Sequence, residues 1–123
     1  MSCKLYLVYD PEQDVHLRDQ VVRWCESSDG ACEVADWTPL CEYGAIEQQM
    51  TQAAMRACDA VVVLVGRDTP NAPNALVEIE IARKLRLPLF QLVSPEAIRR
   101  FMPGAGPAIP WSLQGLIEQL ATI

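Results

Sequence analysis

Residues 60 to 66 read "AVVVLVG", an uninterrupted apolar and β-branched run closed by a glycine. Such a run suits a strand covered on both faces, because a half-exposed strand would alternate apolar and polar residues. A polar loop, "RDTPNAP", follows it, and "NALVEIEIARKLR", residues 74 to 86, reads as a helix rich in good helix formers. Towards the N-terminus, "KLYLVY" (residues 4 to 9) is a first short strand closed by the turn chemistry of "DPEQD". Residues 14 to 26, "DVHLRDQVVRWCE", space Val15, Leu17, Val21, Val22, Trp24 and Cys25 as an amphipathic helix does. "ACEVADW" (31 to 37) is a second strand, "TPLCEYG" a loop, and "AIEQQMTQAAMRAC" (45 to 58) a helix with Ile46, Met50, Ala53, Ala54 and Ala57 on one side. Towards the C-terminus come a strand, "LPLFQLV" (87 to 93), a short helix, "SPEAIRRF", a proline- and glycine-rich loop, "MPGAGPAIP", and a helix, "WSLQGLIEQLATI". Trp24 and Trp111 are expected in the core.

Alternation of strands with helix-length connections implies a parallel sheet wrapped by helices. The expected fold is an α/β, flavodoxin-like three-layer sandwich of four to five strands in the order 2-1-3-4-5, one domain over residues 1 to 123. A fifth strand, if present, is short and near Ala108 to Ile109.

The formal net charge of −6 and the lack of a basic stripe argue against nucleic acid as a partner. No apolar run approaches the roughly 20 residues of a membrane helix, and "MSCKLYLVYD" lacks the features of a signal peptide. A cytoplasmic protein without membrane association is expected. The cysteines number five, an odd count without Cys-x-x-Cys spacing. They are read as reduced thiols, and no metal centre is expected. His16, alone on the first helix, is expected at the surface or the core boundary.

In open parallel sheets, ligands bind beyond the carboxyl ends of the strands where the strand order reverses. Here that crevice lies between the first and third strands. Tyr9 and Asp10 after the first strand, and Gly66, Arg67, Asp68 and Thr69 after the third, are the candidate substrate-binding residues, with Trp37 as a flanking wall. At 100° per residue, Glu78 falls on the core-facing arc of its helix, among Val77, Ile81, Leu85, Ala82, Ala75 and Ile79. Glu80 falls opposite, near Lys84, where a surface ion pair would sit. A carboxylate on a core-facing arc must be hydrated, paired or raised in pKa, and the rim of the crevice is expected to supply hydration. Other site motifs are missing: "VVVLVGRDT" has neither the P-loop pattern nor Gly-x-Gly-x-x-Gly. Gly66 also stands where a phospho-receiver domain would carry an aspartate.

With these residues in view, the chain resembles TIR (Toll/interleukin receptor) domains over residues 4 to 93, and most closely the TIR-like proteins of bacterial Thoeris antiphage systems. "LYLVYDPEQD" is similar to the first TIR strand, while "VVVLVGRDT" followed by "NALVEIEIA" is similar to the Thoeris branch, with Glu78, Ile79 and Ala82 fitting its Glu-Ile-x-x-Ala core. The resemblance implies that Glu78 is catalytic in cleaving NAD, as substrate rather than resident cofactor, at its nicotinamide–ribose bond. It also implies an ADP-ribose-derived signal nucleotide, a nucleotide-sensing effector downstream, homo-oligomers on activation, and a loop at residues 38 to 44 that matters in trans. Val8 stands where the family has serine, and Leu76 and Val77 where it has tryptophan. Arg67 is assigned to the pyrophosphate, and Trp37 or Tyr9 to stacking on a ring. Two alternatives stand beside this reading. One is a non-enzymatic TIR assembly module. The other is a nucleoside deoxyribosyltransferase-like enzyme, of whose Asp-x-Gly-Thr signature "DTPNAPNA" is a faint echo.

Overall fold

The structure is a computed structural model that describes residues 2–36, 39–40, 42–97 and 101–123. Its elements run β1 (Cys3–Val8), α1 (Val15–Glu26), β2 (Cys32–Val34), α2 (Ala45–Arg56), β3 (Ala60–Val65), α3 (Pro73–Leu85), β4 (Leu89–Val93), β5 (Ala108–Pro110) and α4 (Leu113–Leu120). Single 3-10 turns at Thr69–Asn71 and Pro95–Ala97 follow β3 and β4. All strand pairs are parallel, and the order is β2-β1-β3-β4-β5. This is the flavodoxin-like arrangement, with a short fifth strand where the sequence places one.

The side-chain period of two along each strand divides the core between the two faces of the sheet. Tyr6 and Val8 of β1 and Val61, Val63 and Val65 of β3 pack with Met55 of α2 and Ala75, Ile79 and Ala82 of α3. Leu5, Leu7, Val62 and Leu64 pack on the other face with Leu17, Val21 and Cys25 of α1 and Leu116 of α4. β3 is buried along its whole length, as its unbroken apolar run requires. Strand β4 begins two residues later than the sequence suggests, because Arg86 ends α3 in the left-handed region (φ 57°) and Pro88 has no N–H for a ladder. The Pro88 carbonyl still accepts from Val61 at 2.8 Å.

Some faces differ from those expected. On α1, Val15 is exposed; Trp24 and Trp111 are half-buried and pack on each other at the core margin, 5.1 Å between ring centroids. On α2 the buried positions are Thr51 and Met55, whereas Ile46 and Met50, expected inside, are 69% and 47% exposed. The alanines of this helix leave its apolar arc poorly defined, so packing rather than pattern sets its rotation. The residues expected to form a helix after β4 make only the 3-10 turn through Ala97, and Ile98, Arg99 and Arg100 lie outside the described residues. Among the described residues no helix is long and apolar enough to cross a membrane.

Candidate active site

The β1/β3 switch point is built by three segments: the end of β1, the first two turns of α3, and the connection from β2 to α2. Asn74 and Glu78 are four residues apart on α3 and share the face that packs on β1. Glu78 is fully buried, with no exposed surface. The Tyr6 hydroxyl donates to its Oε1 at 2.5 Å and the Asn74 amide to its Oε2 at 2.5 Å. Asn74 also donates to the Tyr9 carbonyl at 2.9 Å, which locks the amide and fixes which of its atoms faces the carboxylate. Tyr43, from the β2–α2 connection, is a third hydrogen-bond partner of Glu78. Its hydroxyl also accepts from the Leu40 N–H at 3.3 Å.

Burial pushes the Glu78 carboxyl up to about 7, against the opposing hydrogen bonds from Tyr6, Asn74 and Tyr43. Removal from water therefore outweighs three donors. Tyr43 is driven upward as well, first by burial and then by the Glu78 charge. The result is a carboxyl poised between its two states at neutral pH, with both oxygens fixed. Such a group can stabilise a developing positive charge when ionised or deliver a proton when not. The hydration expected at the rim is replaced by protein donors.

The remaining candidate residues divide. Asp10 lies beside Glu78's support: with Pro11, Glu12, Leu40, Pro73 and Asn74 it lines a cleft of about 100 Å³. Its Oδ1 accepts from the Glu12 and Gln13 N–H groups, which shapes the turn after β1. Tyr9 contributes its backbone carbonyl only, because its ring packs in the core on the opposite face of the sheet. The ring expected to stack on a ligand thus lies in the core, 4% exposed. Gly66 and Thr69 form an internal brace rather than a ligand surface. Thr69 Oγ1 accepts from the Gly66 N–H at 2.6 Å and donates to the buried Asp14 carboxylate at 3.0 Å. A Cβ on Gly66 would lie 2.3 Å from Asp14 Oδ1, so glycine is required there. Arg67 and Asp68 are exposed and line a different, polar cleft of about 310 Å³ with Gln13, Asp14 and Glu96. Trp37 lies outside the described residues.

Glu80 is exposed and pairs with Arg83 at 3.6 Å, not with Lys84. His16 is exposed as expected, and its Nε2 meets Glu96 Oε1 at 2.7 Å. Among the described residues, Asp14, His16 and Glu96 bring one donor atom each within 4.8 Å of one another, the spacing a cation would need. The His16–Glu96 contact accounts for two of them as a surface pair.

Tyr6, Asn74 and Tyr43 are the site residues that sequence reasoning missed. The four-residue offset of Asn74 from Glu78, and the shared strand face of Tyr6 and Val8, were available signals. Tyr43 lies in a loop without periodicity and had none. No protein-family model matches the chain, and no curated protein matches its sequence.

Proposed function

We propose that the chain is a TIR-like enzyme that consumes NAD, cleaving the nicotinamide–ribose bond at Glu78. The observation that carries this reading is a fully buried carboxyl, raised to about 7, gripped through both oxygens at the β1/β3 switch point. Nicotinamide leaves as a neutral base, and the ribose carbon it departs from develops oxocarbenium character. An ionised Glu78 offsets that charge, and the Tyr6 and Asn74 donors keep its two oxygens oriented. No cofactor is required, because NAD is the substrate.

A cleft of about 100 Å³ is smaller than the roughly 300 Å³ or more of small-molecule sites. Leu40, which lines it, and Tyr43, which bonds Glu78, both belong to the β2–α2 connection, the segment that must shift to admit a nucleotide. The form described is thus closed, and activation on this reading means moving that segment, through assembly of copies of the chain. Production of an ADP-ribose-derived signal for a separate effector in antiphage defence rests on the resemblance of "VVVLVGRDT" and "NALVEIEIA" to the Thoeris branch.

One observation favours a second reading, a non-enzymatic assembly module: Glu78 has three protein partners and no exposed surface, as a structural carboxyl would. Mass spectrometry of NAD incubated with concentrated protein separates the two. Nicotinamide and an ADP-ribose-derived product from wild type, and neither from Glu78→Gln, support the enzyme. Intact NAD with wild type over a range of protein concentrations supports the module. A deoxynucleoside in the same incubation tests the deoxyribosyltransferase-like alternative through base release.

A further inference from the structure

Three cysteines meet at the sheet edge, on the face away from Glu78. Cys25 lies in the last turn of α1, Cys32 opens β2, and Cys3 opens β1 opposite Cys32 in the parallel register. Cys25 and Cys32 are buried in the cluster beneath α1 and α4, and Cys3 packs against it. The turn from α1 to β2 holds the first two together. Asp29 and Gly30 take positive φ of 55° and 83°, folding the chain back on itself. The Ser28 N–H donates to the Cys25 carbonyl at 3.2 Å, and the Ala31 N–H to the Ser28 carbonyl at 3.2 Å. The Ser28 hydroxyl donates to the Cys25 carbonyl at 2.6 Å and lies 3.9 Å from Cys32 Sγ. Both cysteines also line an open cleft of about 330 Å³ whose mouth carries Arg18, Glu26 and Glu33.

We propose that Cys25 and Cys32 are a redox-active dithiol, which a hydroperoxide converts to an intramolecular disulfide tying the end of α1 to the edge strand β2. A thiol buried alone in a core is inert, but here two cysteines line one open cleft, with the Ser28 hydroxyl between the Cys25 carbonyl and the Cys32 sulfur. The Cys25 S–H donates to the Cys32 sulfur and lowers that thiol against the effect of burial. The same hydrogen bond, with burial, drives Cys25 upward. Cys32 is therefore the thiolate and the attacking sulfur. It displaces hydroxide from the peroxide O–O bond and becomes a sulfenic acid; the sulfur is oxidised and the peroxide reduced. The Cys25 sulfur then attacks the sulfenic sulfur, giving up its proton, and water leaves as the S–S bond forms. In sum, two thiols and one hydroperoxide yield one disulfide, one water and one molecule of water or alcohol.

The test is peptide mapping of the native chain after brief exposure to hydrogen peroxide and quenching with a maleimide. Cleavage after Glu12, Glu26 and Glu33 places Cys3, Cys25 and Cys32 in separate peptides. The expected product joins residues 13–26 to 27–33, lighter than the two reduced peptides by two hydrogen atoms. A link from 1–12 to 27–33 would assign the chemistry to Cys3 instead. All three cysteines recovered as maleimide adducts would overturn the proposal outright. A second arm uses iodoacetamide at pH 7: Cys25→Ala removes the S–H donor and should slow alkylation of Cys32 roughly tenfold. An unchanged rate would show that Cys25 does not activate Cys32.

Discussion

Glu78 holds its proton more tightly in the folded chain than in the unfolded one, because burial outweighs its three hydrogen bonds. Its folded pKa of about 7 lies above the ordinary 4.5, so its contribution favours folding below pH 4.5 and is lost as pH rises to about 7. The full change is about 3 kcal/mol at 1.36 kcal/mol per unit. Urea unfolding across this range should show stability falling with pH in wild type, and Glu78→Gln should flatten that slope. In that variant the amide oxygen still accepts from Asn74, whose other hydrogen is donated to Tyr9, and the new NH2 faces the Tyr6 hydroxyl, which turns from donor to acceptor. Tyr6→Phe removes the donor to Oε1 while leaving the carboxylate buried. It should cost about 1–3 kcal/mol at neutral pH and move the Glu78 titration upward, which carboxyl-labelled NMR would read. Gly66→Ala places a methyl against Asp14 in the Thr69 brace and should destabilise by about 1–3 kcal/mol in the same urea assay.

Helix α3 shows how one element serves both core and site. Ile79 is 3% exposed in the core under β3, and Leu76, three residues earlier, is 56% exposed. Ile79→Ala should cost about 2–5 kcal/mol, whereas Leu76→Ala should stay within about 0.5 kcal/mol, both measured by thermal or urea unfolding. The three-to-four period of this helix was plain in its sequence, and so was the odd position of Glu78. What burial does to that carboxyl was not, since hydration at a rim and protein donors in a core leave the same pattern of residues. Helix α2 misled for a related reason. With alanines at 53, 54 and 57, its strongest apolar pair, Ile46 and Met50, marked a face that turns out to be exposed. Edge strands β2 and β5 keep only three residues each, because a strand with one neighbour needs no long apolar run.

At the scale of the molecule, the unbroken run of β3 and the helix-length connections sufficed to predict a parallel sheet, and its order is that of the flavodoxin-like arrangement taken for it. The carboxyl ends of β1 and β3 then mark the switch point, and Glu78 lies beside it. Which side of the sheet each rim residue faces was harder to foresee. Tyr9 differs from Tyr6 by three positions, an odd number, so the pleat sends their rings to opposite faces. Thr69 and Gly66 close on Asp14 through a loop hydrogen bond that no periodicity encodes. Likewise Tyr43 reaches Glu78 from a distant connection. Among the described partners of the buried carboxyl Tyr43 is the partly exposed one, so access to Glu78 on the proposed reading runs past it. Tyr43→Ala should therefore raise NAD turnover at low protein concentration, where wild type stays closed, and nicotinamide release measured over a dilution series checks this.

The most direct test is nicotinamide release from NAD as a function of pH, followed for wild type and Glu78→Gln at a protein concentration that permits assembly. The ionised carboxylate is the form that stabilises the departing sugar, so the wild-type rate should climb with pH and level off above about 7, while Glu78→Gln stays at background throughout. A rate carried equally by Glu78→Gln, or no release by wild type at any pH, would contradict a catalytic Glu78 and leave the buried network as a structural one.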